Sequence, residues 1–366
     1  MNLLERISWL KTRMQDNLFP HLRACFSDPI TEMQHELIMM LEIIEIEDYL
    51  TSDAYRWMGR TREDRRPIAR AFVAKAMYNL STTRILIELL HSMPNFRMIC
   101  GFIRKRNIPS ESTFSRAFAE FARTDLGDKV HAALVEEHLR DQLIGHIARD
   151  ATAIKGNEKP LKKEKKEQIP QKRGRPKKGE VRELKEEKRL DQQVSQTSFD
   201  ALQDIPRHCD VGTKKNAKGY KETWIGYKAH IDTADCGLPI TIILTAASLH
   251  DSQVAIPMMK MTSERITYLY DLMDSAYDAK QIRGVSKSLG HIPIIDKNPR
   301  KGNAIPMAPA EALRYNERTA VERTNGRLKE EFGGSSVMVR GHAKVKLHLM
   351  FGIIALFADQ LLRLAS

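Results

Sequence analysis

Through roughly the first 145 residues, apolar side chains recur at helical spacing, as in Ile68, Phe72, Ala76 and Leu80, and strand-like alternation is sparse. An all-helical N-terminal domain, residues 1–143, is therefore expected. A second apolar run, Ile85 to Leu90, continues the pattern. The stretch from Pro109 to Arg123 offers Ser110 or Ser112 as N-cap, with Phe114, Phe118 and Phe121 on one side and Ser115 and Arg116 on the other. Behind the short turn Arg106–Pro109, this is either the recognition helix of a helix-turn-helix or an ordinary helical pair.

At Ile144 the period changes. The run up to Asp150 reads as a strand with an acid at or near its end. Glu222 to Thr233 and Leu238 to Ser248 read as two strands joined by Ala234-Asp235-Cys236-Gly237, a hairpin signal. Ile266 to Met273 is a further strand running directly into Asp274, followed by a helix from Ala276 to Leu289 and a short strand in HIPIID. Helices over Tyr315 to Phe332 and Ala343 to Leu364 close the chain. That order predicts an α/β domain over 144–366, a mixed sheet flanked by helices.

Between these elements, Lys155 to about Asn216 is polar and poor in aromatics, the composition of a flexible insertion. It also holds the charge. The chain of 366 residues has 59 Lys+Arg against 47 Asp+Glu, a net charge of +12, and Lys155 to Leu190 alone supplies +8 of it. A polyanion such as nucleic acid is the expected partner. Within the insertion, Arg173-Gly174-Arg175-Pro176 has the form of an AT-hook, which reads the narrow minor groove of A·T-rich DNA; a generic basic linker would look much the same. The four cysteines are scattered and form no metal-finger or disulfide pattern. The longest apolar runs, Leu238 to Leu249 and Leu349 to Ala358, are short for a bilayer, and the N-terminus has no signal-peptide pattern, so no membrane is expected and the location expected is cytoplasmic and nucleoid-associated.

Near the C-terminus, Tyr315, Arg318, Glu322 and Lys329 would share one stripe if they lay on a single helix, the other three each falling within roughly 40° of Glu322. A carboxylate among cations and a phenol suits a place where a divalent ion and a phosphate meet. A solvated face with an Arg318–Glu322 pair would read the same way. With Asp150 and Asp274 at strand ends, Glu322 completes the three acids an RNase H-like enzyme needs for two Mg²⁺ or Mn²⁺ ions. Asp251 in LHDS is a substitute ligand, Asp296 another, and His250 is read as positioning its loop.

On these residues the chain resembles a DDE transposase of a bacterial insertion sequence, in the four/five-like superfamily that carries a Tyr-Arg-Glu-Lys signature. Tyr315-x2-Arg318-x3-Glu322-x6-Lys329 matches all four positions, and Asp274-Ser-Ala-Tyr277 resembles the motif of the second acid. CDVGTKKNAKGYKETWIGYKAHID and SLHDSQVAIPMM resemble strand regions of such proteins, and residues 67–121 resemble their helical N-terminal domain. The short interval from Asp274 to Glu322 leaves no room for the large β-rich insertion some relatives carry there; here the basic insertion follows the first acid. The resemblance implies an RNase H-like catalytic domain, metal held by Asp150, Asp274 and Glu322, and DNA contacts from Tyr315, Arg318 and Lys329. It also implies double-stranded DNA partners, element terminal repeats and target, and a homodimer or larger synaptic assembly. A nuclease that never joins strands, or an inactive DNA-binding regulator, would share much of the pattern.

Overall fold

The computed structural model describes residues 29–50, 63–161, 187–215, 218–298 and 306–365. Its centre is a six-stranded mixed sheet. β1 (Leu143–Lys155) lies between β3 (Lys221–Ala234), antiparallel to it, and β5 (Thr267–Met273), parallel to it. β6 (Ile292–Ile295) pairs in parallel with β5, β4 (Pro239–Ala246) pairs with β3, and β2 (Asp210–Lys215) pairs with the first half of β3. The β3–β4 hairpin turns where expected, with Gly237 at φ +82°. Three antiparallel strands continued by two parallel ones, flanked by helices, make this an RNase H-like fold.

Several expectations need correcting. β1 runs five residues beyond Asp150, which therefore sits in mid-strand and not near its end. The segment SLHDSQVAIPMM, likened to a strand region, instead opens a helix, Ser252–Arg265. The insertion is not uniformly loose, because its described parts include helices Arg189–Ser195 and Ser198–Gln203 and all of β2. Gly212 of β2 faces Trp224 of β3, and the indole lies so close that any side chain at 212 would collide with it. Where β1 and β3 come closest, Gly226 adopts φ +148°, and a Cβ there would strike the Ile154 carbonyl.

The described N-terminal residues are helical as expected. α1 (Glu32–Ile44) starts on a Thr31/Gln34 capping box, and α2 (Arg65–Met77), α3 (Thr83–Ser92), α4 (Pro94–Ile99), α5 (Glu111–Arg123) and α6 (Leu126–Leu139) follow. The helices between the strands are α7 (Arg189–Ser195), α8 (Ser198–Gln203), α9 (Ser252–Arg265) and α10 (Lys280–Ser288). α11 (Pro309–Tyr315), α12 (Thr319–Glu330) and α13 (His342–Ala365) complete the chain. Phe114, Phe118 and Phe121 of α5 are buried with Phe72 of α2 and Phe351 of α13, the Phe72 and Phe351 ring centroids 5.5 Å apart. Ser115 and Arg116 face solvent. One continuous apolar core runs from these helices through α13 to the sheet. α13 is long and apolar enough to cross a membrane by length and composition, but 78% of its apolar window is buried within the protein.

Candidate active site

Successive residues of a strand face opposite sides of the sheet, so Arg149 and Asp150 of β1 look in opposite directions. Asp150 faces α12. That helix buries Ala320, Val321, Thr324, Asn325 and Leu328 against the sheet, and Asn325 Nδ2 donates to Asp150 Oδ2 at 3.0 Å. Burial pushes the Asp150 carboxyl up to about 6; Arg318 works against this, while Asp274 and Asp251 add to it.

Asp274 follows the last residue of β5, and its carboxylate accepts the amide proton of Ala276 at 2.9 Å, capping the turn Ser275–Tyr277. The cap coexists with the charged neighbourhood: burial raises the Asp274 pKa, Arg318 lowers it, and Asp251 and Asp296 raise it. β1 and β5 are hydrogen-bonded neighbours, with Ala148 opposite Leu272, which is how acids 124 residues apart come to lie beside each other where β5 ends against the middle of β1.

The four-residue stripe is only partly helical. Tyr315 ends α11, a 3-10 turn spans Asn316–Arg318, and Glu322 and Lys329 lie on α12, so the single helix expected over all four is broken. Arg318 nonetheless reaches both ways. Its guanidinium carbon lies 5.8 Å from the centre of the Tyr315 ring, its Nη2 donates to Glu322 Oε1 at 2.5 Å, and its Nη1 stands 3.9 Å from Asp150 Oδ1. One guanidinium thus stands between two of the three predicted acids. Lys329 is half-buried; desolvation lowers its pKa, Lys214 and Lys155 lower it further, and Asp150 opposes them. Arg173 and Arg175 lie outside the described residues.

Asp251 is held by Lys228, whose Nζ donates to it at 2.8 Å, and His250 Nδ1 pairs with the Ser252 hydroxyl at 2.8 Å in the same loop. Asn325 escapes sequence reasoning, and Tyr277 enters it only as part of the second-acid motif. Asn325 touches Asp150 directly, and its only advance signal is its place three residues after Glu322 and four before Lys329. Tyr277 is fully buried with a hydroxyl that has no hydrogen-bond partner, close enough for Asp251, Asp150 and Asp274 to act on it.

Among the described residues, no three His, Cys, Asp or Glu side chains are drawn tightly enough to hold an ion. The donor chemistry at Asp150 nonetheless suits a hard cation: two neighbouring carboxylates, and beside them the buried Asn325 Oδ1, an amide oxygen with no partner. Glu322 is occupied by Arg318.

A family model described as "Transposase DDE domain" matches residues 141–358, more than half of the chain, and one described as "Transposase domain (DUF772)" matches residues 25–120. No curated protein and no solved structure matches. The first match spans the whole sheet together with Asp150, Asp274 and Glu322, the second most of the described N-terminal helices, and the chain belongs to the DDE transposases.

Proposed function

We propose that this transposase hydrolyses the phosphodiester at the ends of its element and transfers the freed 3′-hydroxyl to target DNA. In the first step water forms a P–O bond as the bond to the 3′ oxygen breaks. In the second, that 3′ oxygen forms a bond to a target phosphorus, whose own 3′ oxygen leaves. No protein–DNA bond is needed. The observation that carries this reading is that Arg318 bridges Glu322 of α12 and Asp150 of β1, the strand beside which β5 runs out into Asp274.

Asp150, Asp274 and Glu322 are the residues that would hold two Mg²⁺ or Mn²⁺ ions, Glu322 once its pair with Arg318 opens. Such ions activate the attacking oxygen and neutralise charge on the leaving one. Asn325 keeps the Asp150 carboxylate in one orientation through its amide hydrogen bond. Arg318, released from Glu322, and Lys329 hold phosphate oxygens of the DNA end, with Tyr315 stacking or hydrogen-bonding beside them. Two or more copies bring the element ends together.

The test is 3′-hydroxyl formation and joining on native element ends with Mg²⁺, for wild type and Asp274→Asn. Wild type should cut and join. The variant should bind DNA yet cut at least about 10³-fold more slowly, the equivalent of losing roughly 4 kcal/mol of transition-state stabilisation. Cutting without joined product would mark a nuclease, and binding with neither would mark a regulator. Normal cleavage by the variant would move the ligand assignment to Asp251.

A further inference from the structure

The β2–β3 hairpin sets two lysines directly across from each other. Lys215 and Lys221 are directly opposite in the ladder and both exposed, and like charges in that position repel. Next to them Lys214 faces Glu222, 3.6 Å away. By strand alternation Lys221 and Lys215 lie on the Asp150 face of the sheet, and Lys155 and Lys214 on the other, so β2 and β3 carry a pair of lysines along the face that holds the acid site. The arm bearing them is well braced: Trp224 packs over Gly212 and donates its indole N–H to the Tyr227 carbonyl at 2.9 Å.

We propose that this hairpin is a DNA-binding arm that grips the phosphate backbone of the element end on the interior side of the cleaved bond. The proposal rests on the transposase reading above and adds where the DNA runs. β1 spans five residues from Asp150 to Lys155, which pairs with Gly226, and β3 spans five more from Gly226 back to Lys221. At about 3.3 Å per residue, this path reaches at most roughly 33 Å from Asp150. A duplex rising about 3.4 Å per base pair covers that length in about ten pairs. Lys215 and Lys221, at the far end, meet phosphates about ten pairs in.

The full chain should be compared with Lys215→Ala/Lys221→Ala, both surface positions, on a duplex carrying the native element end. Binding is measured without divalent metal across a salt series, with hydroxyl-radical footprinting of the bound duplex. Every lysine–phosphate pair removed should reduce the slope of log K against log salt by about 0.9, so the double variant should flatten it by nearly 2. Footprint protection about eight to ten pairs from the scissile phosphate should disappear while protection at the terminus persists. An unchanged slope and footprint, with wild type binding and cutting normally, overturns the arm and leaves the transposase reading standing. A wild type that neither binds nor cuts the element end overturns both.

Discussion

Arg149 and Asp150 are adjacent on β1, yet the two faces they serve are built to opposite ends. On the Arg149 side one guanidinium meets two carboxylates in a dry interior: Asp232 at 2.6 Å and Asp271 at 3.5 Å, all three fully buried. Neutral hydroxyls supply much of the rest, with Thr262 donating to Asp232 at 2.7 Å, and Ser286 and Tyr268 to Asp271 at 2.6 and 3.1 Å. Burial opposes the Arg149 charge, but Asp232 and Asp271 more than offset it and hold the pKa above its ordinary value. On the Asp150 side one guanidinium, Arg318, serves Asp150, Glu322 and Asp274 together, and the acids keep a share of solvent. The first face ties β1, β3 and β5 into one rigid unit with α9 and α10. The second is left short of positive charge, the condition in which a carboxylate cluster attracts a cation. Rigidity beneath and unmet charge above are what a site needs to hold its ligands in position before they bind.

The largest expected effect breaks the dry side. Arg149→Met leaves two buried carboxylates without their cation and should cost about 3–5 kcal/mol of unfolding free energy. Denaturant unfolding measures it. A loss below about 1 kcal/mol would show that the network is not what joins the three central strands.

The open side should respond in the reverse sense. The folded pKa of Asp150, about 6, lies above the ordinary carboxylate value, so the folded protein holds this proton more tightly than the unfolded chain does. The ionised carboxylate costs nothing below about pH 4, costs progressively more between there and about 6, and costs a constant amount above. Asp150→Asn should therefore stabilise the metal-free protein at pH 7.5 by up to about 3 kcal/mol, a gain that fades as the pH falls towards 4. Thermal unfolding at the two pH values checks it; destabilisation at pH 7.5 would mean that the cluster is already neutralised. The same carboxylate must ionise to bind a cation, so metal affinity should weaken as pH drops through about 6.

The sequence carried most of the sheet because its strands are apolar runs bounded by turn signals. It suggested the acid trio because Asp274 follows a strand and Glu322 lies in a spaced basic row. What escaped it had other physics. α9 contains Pro257 and β-branched Val254 and Ile256, which blur a helical pattern that burial against β3 and β4 overrides. β2 is polar at four of its six positions, and its pairing is secured by a glycine–tryptophan contact that no period reveals. The stripe broke at Asn316–Arg318, where a tighter turn replaces α-helix, a local choice that spacing alone does not resolve. Asn325 belongs to no motif, since its role exists only once α12 lies across β1.

Asn325 gives the smallest and most discriminating test of the contrast. Its Nδ2 fixes Asp150 while its Oδ1, buried without a partner, faces the same space. Removing a group that orients a metal-binding carboxylate typically costs 10- to 100-fold, so Asn325→Ala should slow cleavage by about that factor and weaken Mn²⁺ binding in parallel, with DNA affinity unchanged. Asn325→Asp keeps the size and an oxygen at each position but replaces the donor with a second carboxylate. If Asn325 acts through its N–H on Asp150, the aspartate variant should be no better than alanine; if the bare oxygen is what matters, aspartate should restore Mn²⁺ affinity. Equal activity of all three proteins would leave Asn325 as packing alone and make the open face depend on its carboxylates without an orienting partner.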